Sequence, residues 1–315
     1  MRSRNIGDTH KMKVALVHDY LVDFGGAERV LMALVEIFPS APIYTLLYDA
    51  EKTGNYFKES NIHSSFLNKL PRFIRLKKRW LLPFFPIAAS VFDLSGYDLI
   101  ISSSSAFSKG ARKRKGAIHI CYCHSPTRFL WDYKEDYQKE NRNGVLARLF
   151  LRASLFNLII SFLRRWDRAS AEKVSFWIAN SQTTKRRIKK YYNKDSAVIY
   201  PPLIDLEKES ITSPPAEDYF LVVSRLSPYK KIDLIVEAFN ELRRPLVIVG
   251  NGSEKIRIEK TAKDNIKFTG FISDNELAGY YAHCKAFILA NEEDFGLAAL
   301  EAASFGKPVL AYRRG

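Results

Sequence analysis

Apolar residues along this chain fall into short unbroken runs, separated by longer stretches in which they recur every three or four positions. Residues 14–18, 43–47, 98–102 and 117–122 are runs of the first kind. Apolar runs of this length, bounded by polar residues, read as strands buried on both faces. Between the first two, an apolar stripe at helical spacing runs over about 27–38 and stops at Pro39, because proline cannot continue a helix. Residues 146–172 carry a long helical pattern. Residues 177–179 predict a short strand, Ser181 an N-cap for a basic helix to Tyr192, and 197–199 the last strand of this half. Further on, predicted strands at 219–223, 246–249, 266–269, 285–290 and 308–311 alternate with helices at 231–242, 253–263, 274–282 and from Gly296. Such alternation predicts α/β architecture with parallel sheets covered by helices.

The rhythm breaks once. Tyr200-Pro201-Pro202 and Ser213-Pro214-Pro215 frame a polar stretch with neither period, as expected of a linker. It divides the chain into two doubly wound domains, 12–202 and 217–315. The second ends in a glycine turn after a strand, where another helix is due, so this domain is expected to be truncated.

Charge narrows the partners. Lys and Arg number 49 against 34 Asp and Glu, a formal net charge of +15, which favours anionic partners. The basic residues are dispersed, with no zinc-finger, RNP or basic-zipper pattern, so nucleic acid is not expected. Three cysteines, an odd number, argue against a disulfide framework and for a reducing, cytoplasmic setting. No apolar run reaches the roughly 18 residues of a membrane span, and residues 1–11 lack the apolar core of a signal peptide.

The candidate chemistry lies after strands. Glu293 and Glu301, eight positions apart, bracket Phe295-Gly296-Leu297 where a helix begins, and a helix N-terminus after a strand is an anion site. Arg225 and Lys230 follow the 219–223 strand and are suited to a diphosphate, Arg by a fork of hydrogen bonds and Lys as a point charge. Gly250-Asn251-Gly252 and Gly25-Gly26 are glycine turns after strands; alone they are weak signals, although a glycine pair lets a ligand approach the backbone. Cys121-Tyr122-Cys123-His124 lacks the second ligand pair a zinc site needs. It reads as a buried strand delivering His124 to its carboxyl end, where the ring reaches a sugar hydroxyl or is a plain loop histidine. No Asp-x-Asp occurs anywhere, so a metal-bridged diphosphate is not indicated.

Taken together and in this order, Gly25-Gly26-Ala27-Glu28-Arg29, the His124 loop, Ala179-Asn180-Ser181, Arg225-x4-Lys230, Gly250-x-Gly252 and Glu293-x7-Glu301 resemble the family 4 glycosyltransferases. The stretches HSPTRFLWD and SPYKKIDLIVEAF resemble the mannosyltransferase branch that builds O-antigen and related bacterial polysaccharides. Lys231 stands where the family often has glycine. The resemblance implies a GT-B fold, two Rossmann-like domains facing a cleft. It implies a retaining hexosyltransferase that takes its donor as a sugar nucleotide, GDP-mannose first and a UDP-sugar as the alternative, with no cofactor or metal. Arg225 and Lys230 would hold the diphosphate, Glu293 the hexose, Glu301 the ribose, and Phe295, Gly296 and Leu297 would offer amides. Gly250 and Gly252 would border the donor, His124 would line the sugar site, and Gly25 and Gly26 would approach phosphate and acceptor. The acceptor it implies is a lipid-linked oligosaccharide or polysaccharide.

Two segments mix basic and apolar residues. Residues 70–85 carry Arg72, Arg75, Lys77, Lys78 and Arg79 among Phe73, Ile74, Leu76, Trp80, Leu81 and Leu82, which suits an anionic membrane surface. Residues 146–166 alternate Arg148, Arg152, Arg164 and Arg165 with Leu, Phe and Ile; they suit the same surface, with a core helix carrying charged ends as the favoured reading. A peripheral place on the inner face of the plasma membrane follows, with a non-catalytic membrane-surface protein as the rival reading.

Overall fold

The structure, a computed structural model, describes residues 12–75, 78–132, 153–203 and 218–314. Residues 12–75, 78–132 and 153–200 form one compact unit, and 218–314 belong to a second. The 204–217 part of the expected linker and the 146–152 part of the expected long helix lie outside the described residues.

The first unit is built on a seven-stranded sheet of order β3-β2-β1-β4-β5-β6-β7. Its strands are β1 Val14–Leu21, β2 Ile43–Tyr48, β3 Ile62–Ser64, β4 Leu99–Ser104, β5 Ile118–Cys123, β6 Phe176–Ala179 and β7 Ala197–Val198. Every pairing is parallel. Central strands need apolar residues on both faces, and in β1 Ala15, Leu16, Val17 and Leu21 are all buried. The second unit carries a five-stranded parallel sheet of order β10-β9-β8-β11-β12: β8 Phe220–Val223, β9 Leu246–Val249, β10 Ile266–Gly270, β11 Ala286–Leu289 and β12 Val309–Ala311. In both sheets the winding reverses beside the first strand, between β1 and β4 and between β8 and β11. Those reversals open crevices at the strands' carboxyl ends, where doubly wound folds bind ligands.

Local chemistry sets the helices. Ser181 accepts from the Thr184 amide at 3.0 Å and caps Gln182–Tyr192, as expected. Ser273 and Glu276 form a capping box at the start of Asp274–His283. The 253–263 stretch is helical only over Lys255–Glu259. Lys231 is not helical either: it sits in the left-handed region at φ +54°, and the helix starts at Ile232. A lysine there carries about 1–2 kcal/mol of strain that glycine would not.

In the described parts of 70–85 the chain makes the turns Arg72–Arg75 and Lys78–Leu81 before the helix Phe85–Ser90; Leu76 and Lys77 of this expected segment lie outside the described residues. Leu81 and Phe85 are buried in the core, and Leu70, Ile74 and Leu82 pack on it. The helix Ala153–Ala171 is a core helix: Ile160 and Leu163 are buried in the same cluster, and Arg164 donates to the Leu130 carbonyl at 2.7 Å. Among the described residues no helix is long and apolar enough to cross a membrane.

Candidate functional site

The crevice of the second sheet collects the residues that follow β8 and β11. After β8 the chain runs Ser224-Arg225-Leu226 into the turn Pro228–Lys230. After β11 it runs Asn291 to Phe295 and enters the helix Leu297–Ser304 through Gly296. The two segments meet at an ion pair: Lys230 Nζ donates to Glu293 Oε2. Asn291, itself buried, donates to the same oxygen at 3.0 Å. The pair keeps contact with solvent, Lys230 at 15% and Glu293 at 21% side-chain exposure. A cation and a carboxylate therefore stand together at the switch point, held from both sides of it.

Three glycines shape this rim. Gly296 caps the helix at φ +82°, a conformation that suits glycine, and directs the first turn's amides, those of Leu297 included, towards its open N-terminal end. Gly250 and Gly252 pack against the neighbouring loop. A Cβ on Gly250 would lie 2.0 Å from the Ser224 carbonyl oxygen, and one on Gly252 2.0 Å from that of Leu226. The loop after β9 is pressed against the loop that carries Arg225 and bonded to it, Leu226 N–H to Asn251 O at 2.9 Å and Glu254 N–H to Leu226 O at 3.0 Å. The glycines are required by loop packing, and Arg225, exposed on that loop, is positioned by it.

Glu301, in the helix Leu297–Ser304, is 4% exposed, and its Oε2 accepts from the Tyr281 hydroxyl at 2.8 Å; the direct side-chain contact is the one between Lys230 and Glu293. Asn291 and Tyr281 went unnoticed in the sequence. Asparagine beside a glutamate and tyrosine in an apolar helix are common, and only the fold brings them to the carboxylates.

The first unit has its own crevice at the carboxyl ends of β1 and β4. Gly25, in extended backbone, and Gly26 open the helix Gly26–Ile37. His124 follows β5, and its Nε2 lies 2.8 Å from Ser103 Oγ. Ser103 in turn lies 3.1 Å from Nδ1 of buried His18, whose Nε2 is 3.4 Å from Glu28 Oε1. Sequence reasoning had His124 without its partners. The only signal for His18 and Ser103 was their place at strand ends. Asp19 beside them accepts from the amides of Ser105, Ala106, Phe107 and Ser108 at 2.6–2.8 Å, which fixes the loop after β4.

All three cysteines are buried and none is in a disulfide, and burial pushes the thiol of Cys121 up to about 12 and that of Cys284 to about 11. Among the described residues no cluster of three or more His, Cys, Asp or Glu is placed to hold a metal ion.

Two parallel doubly wound sheets, each with polar residues gathered at its switch point, define a pair of Rossmann-like units of the GT-B class. The chain belongs to glycosyltransferase family 4: residues 24–208 match the family described as Glycosyltransferase Family 4, and residues 204–315 match Glycosyl transferases group 1. It is 24% identical over 314 residues to an uncharacterized glycosyltransferase of Methanocaldococcus jannaschii, covering 96% of this chain and 80% of that one. To the O-antigen chain mannosyltransferase C of Escherichia coli it is 26% identical over 156 residues, 44% of this chain and 40% of the relative. Among solved structures, sucrose-phosphate synthase from Thermosynechococcus elongatus superposes with a TM-score of 0.66 at 20% identity, over 97% of this chain and 82% of that one.

Proposed function

We propose that this protein is a retaining hexosyltransferase that moves mannose from GDP-mannose to a lipid-linked oligosaccharide or polysaccharide in cell-envelope glycan synthesis, at the inner face of the plasma membrane. The observation that carries the reading is the Lys230–Glu293 contact at the switch point of the second sheet. Transfer from a sugar diphosphate breaks the bond between the anomeric carbon and a phosphate oxygen. Negative charge grows on the departing diphosphate and positive charge on the sugar, and groups already in place for those charges lower the barrier. Lys230 is the point charge for the diphosphate and Arg225 its fork. The amides of Phe295, Gly296 and Leu297 at the helix start add to the same field.

Glu293 exchanges Lys230 for hydroxyls of the hexose as the phosphate takes the cation. Glu301, with one oxygen ordered by Tyr281, is assigned to the ribose. In the first unit His124 is assigned to a sugar hydroxyl, and Gly25 and Gly26 to the close approach of phosphate and acceptor. Attack on the same face as departure retains configuration, the acceptor's hydroxyl proton passing to the leaving phosphate oxygen.

The test is transfer by the full chain from GDP-mannose to a lipid-linked acceptor, with UDP-sugars alongside, and thermal shift with GDP and UDP. GDP is expected to stabilise the protein and GDP-mannose to yield product, and Lys230→Ala to lower turnover by a hundredfold or more, about the effect of losing one preplaced charge-stabilising donor. Stabilisation by UDP alone would move the reading to a UDP-sugar-dependent glucosyl- or galactosyltransferase. Near-normal turnover of Lys230→Ala would remove the assigned role. Vesicle binding without transfer from any donor would leave a membrane-surface binding protein.

A further inference from the structure

Four side chains from separate elements of the first unit form one line: Glu28 from the helix Gly26–Ile37, His18 from β1, Ser103 from β4 and His124 after β5. Sheet register brings the middle of the line together, since His18 is the parallel partner of Ser103. The line has a direction. An ionised carboxylate only accepts, so neutral His18 donates its Nε2–H to Glu28 and offers Nδ1 as an acceptor. The Ser103 hydroxyl then donates to that nitrogen, and its oxygen accepts the Nε2–H of His124. Each ring's tautomer is fixed by what its other nitrogen does. We infer that Glu28 and His18 are positioning residues which, through the Ser103 hydroxyl, hold the His124 ring in its Nε2–H tautomer. Its bearing on transfer rests on the transferase reading above; the tautomer itself does not.

With His18 buried and Glu28 only slightly exposed, the bonds exchange little with water, and the order imposed at Glu28 reaches His124 through a single hydroxyl. Reversing the line would require a proton on both nitrogens of His18.

The full chain, with ring-¹⁵N-labelled histidine and no substrate, tests this by long-range proton–nitrogen correlation at mildly alkaline pH. The chain has 6 histidines, and single-site variants assign their signals. The expected spectrum shows His124 protonated at Nε2 with a slowly exchanging ring proton, and Ser103→Ala mixes the tautomers and speeds the exchange. A His124 protonated at Nδ1, or one unaffected by Ser103→Ala, overturns the inference. In turnover, Glu28→Ala is expected to lower kcat/KM about tenfold, the size of one lost hydrogen bond of about 1.4 kcal/mol, while Glu28→Gln, whose amide oxygen still accepts from His18, keeps most of it. In a His124→Ala background Glu28→Ala should add nothing. An undiminished extra loss there would mean that Glu28 serves the fold alone and would overturn the relay. A wild-type chain that shows the Nε2–H signature yet transfers no sugar keeps the tautomer relay and sinks the transferase reading.

Discussion

Gly250 shows how a single residue shapes the site through the loop it packs against. Its φ of +128° is unfavourable to any side chain, and the Ser224 oxygen fills the space where a Cβ would go. Gly250→Ala must therefore push back the loop that bears Arg225, and backbone cannot yield as a flexible side chain can. Strain and overpacking together are expected to cost more than about 2 kcal/mol, read as a lower urea midpoint. An unchanged midpoint would mean that the two loops are not packed as described. His119 makes a different kind of residue-scale claim. It is buried, its Nε2 bonds Ser102 Oγ at 2.8 Å, and its Nδ1 has no hydrogen-bond partner among the described residues. Burial, with nearby Lys113 adding to it, lowers its pKa to about 3. The unfolded chain gains this proton near the ordinary histidine value while the folded one refuses it. Its contribution is thus complete above about pH 6.5 and is lost as pH falls towards 3, at up to about 1.4 kcal/mol per pH unit. Urea titrations across that window should show a steeper acid decline for the wild type than for His119→Leu, and parallel curves would refute the assignment.

Among elements, the join that matters most is made by Asp167 in the helix Ala153–Ala171. Its carboxylate lies 2.6 Å from Lys109 Nζ in the turn Ser108–Gly110 and accepts from Thr127, Trp131 and Tyr192 at 2.8 Å each. Burial works against a charge on Lys109, yet Asp167 beside it outweighs that and leaves its pKa raised. Removing one partner strands the other, so Asp167→Ala is expected to cost about 3–5 kcal/mol, and Lys109→Met combined with Asp167→Leu to recover part of it, the donors of Thr127, Trp131 and Tyr192 losing their acceptor in both. Denaturant unfolding of the three proteins checks this; a double variant as weak as the single would show that the loss lies in packing and lost hydrogen bonds and not in a stranded charge. None of this network was legible in the sequence, because its members are scattered and only packing joins them. Central strands were legible, since burial on both faces writes an unbroken apolar run. The edge strand β3 was missed: Ile62-His63-Ser64 has one apolar residue and pairs on one side only. In the site, Lys230 and Glu293 could be read because each follows a strand that flanks the switch point. His18 and Ser103 could not, since their meeting depends on the β1–β4 register, which residue spacing does not encode.

At the scale of the molecule the open question is what the basic surface meets. The net charge of +15 favours an anionic surface, but much of the positive charge around residues 70–85 is already committed. Arg75 bonds the Tyr48 carbonyl and Asn68, Arg72 pairs with Glu51 at 3.1 Å, and Lys78 lies over the Tyr20 ring. Beside these charges the segment also presents aromatic rings outward: Phe73 is 65% exposed, Phe84 49% and Trp80 40%. A lipid surface would then be held by two unlike forces, diffuse attraction to anionic headgroups and insertion of rings that the core does not use. Full burial of a phenylalanine ring is worth about 1.5–3 kcal/mol, so Phe73→Ser with Phe84→Ser should weaken binding tenfold or more. Because Phe73 is largely and Phe84 half exposed, the fold should lose little. In flotation assays the wild type is expected to rise with vesicles containing anionic lipid, to rise less as salt screens the charge, and to stay down with purely zwitterionic vesicles, while the double variant stays mostly down with both. Unaltered flotation of the variant would take these rings out of the membrane contact, and equal flotation with neutral vesicles would take the charge out of it.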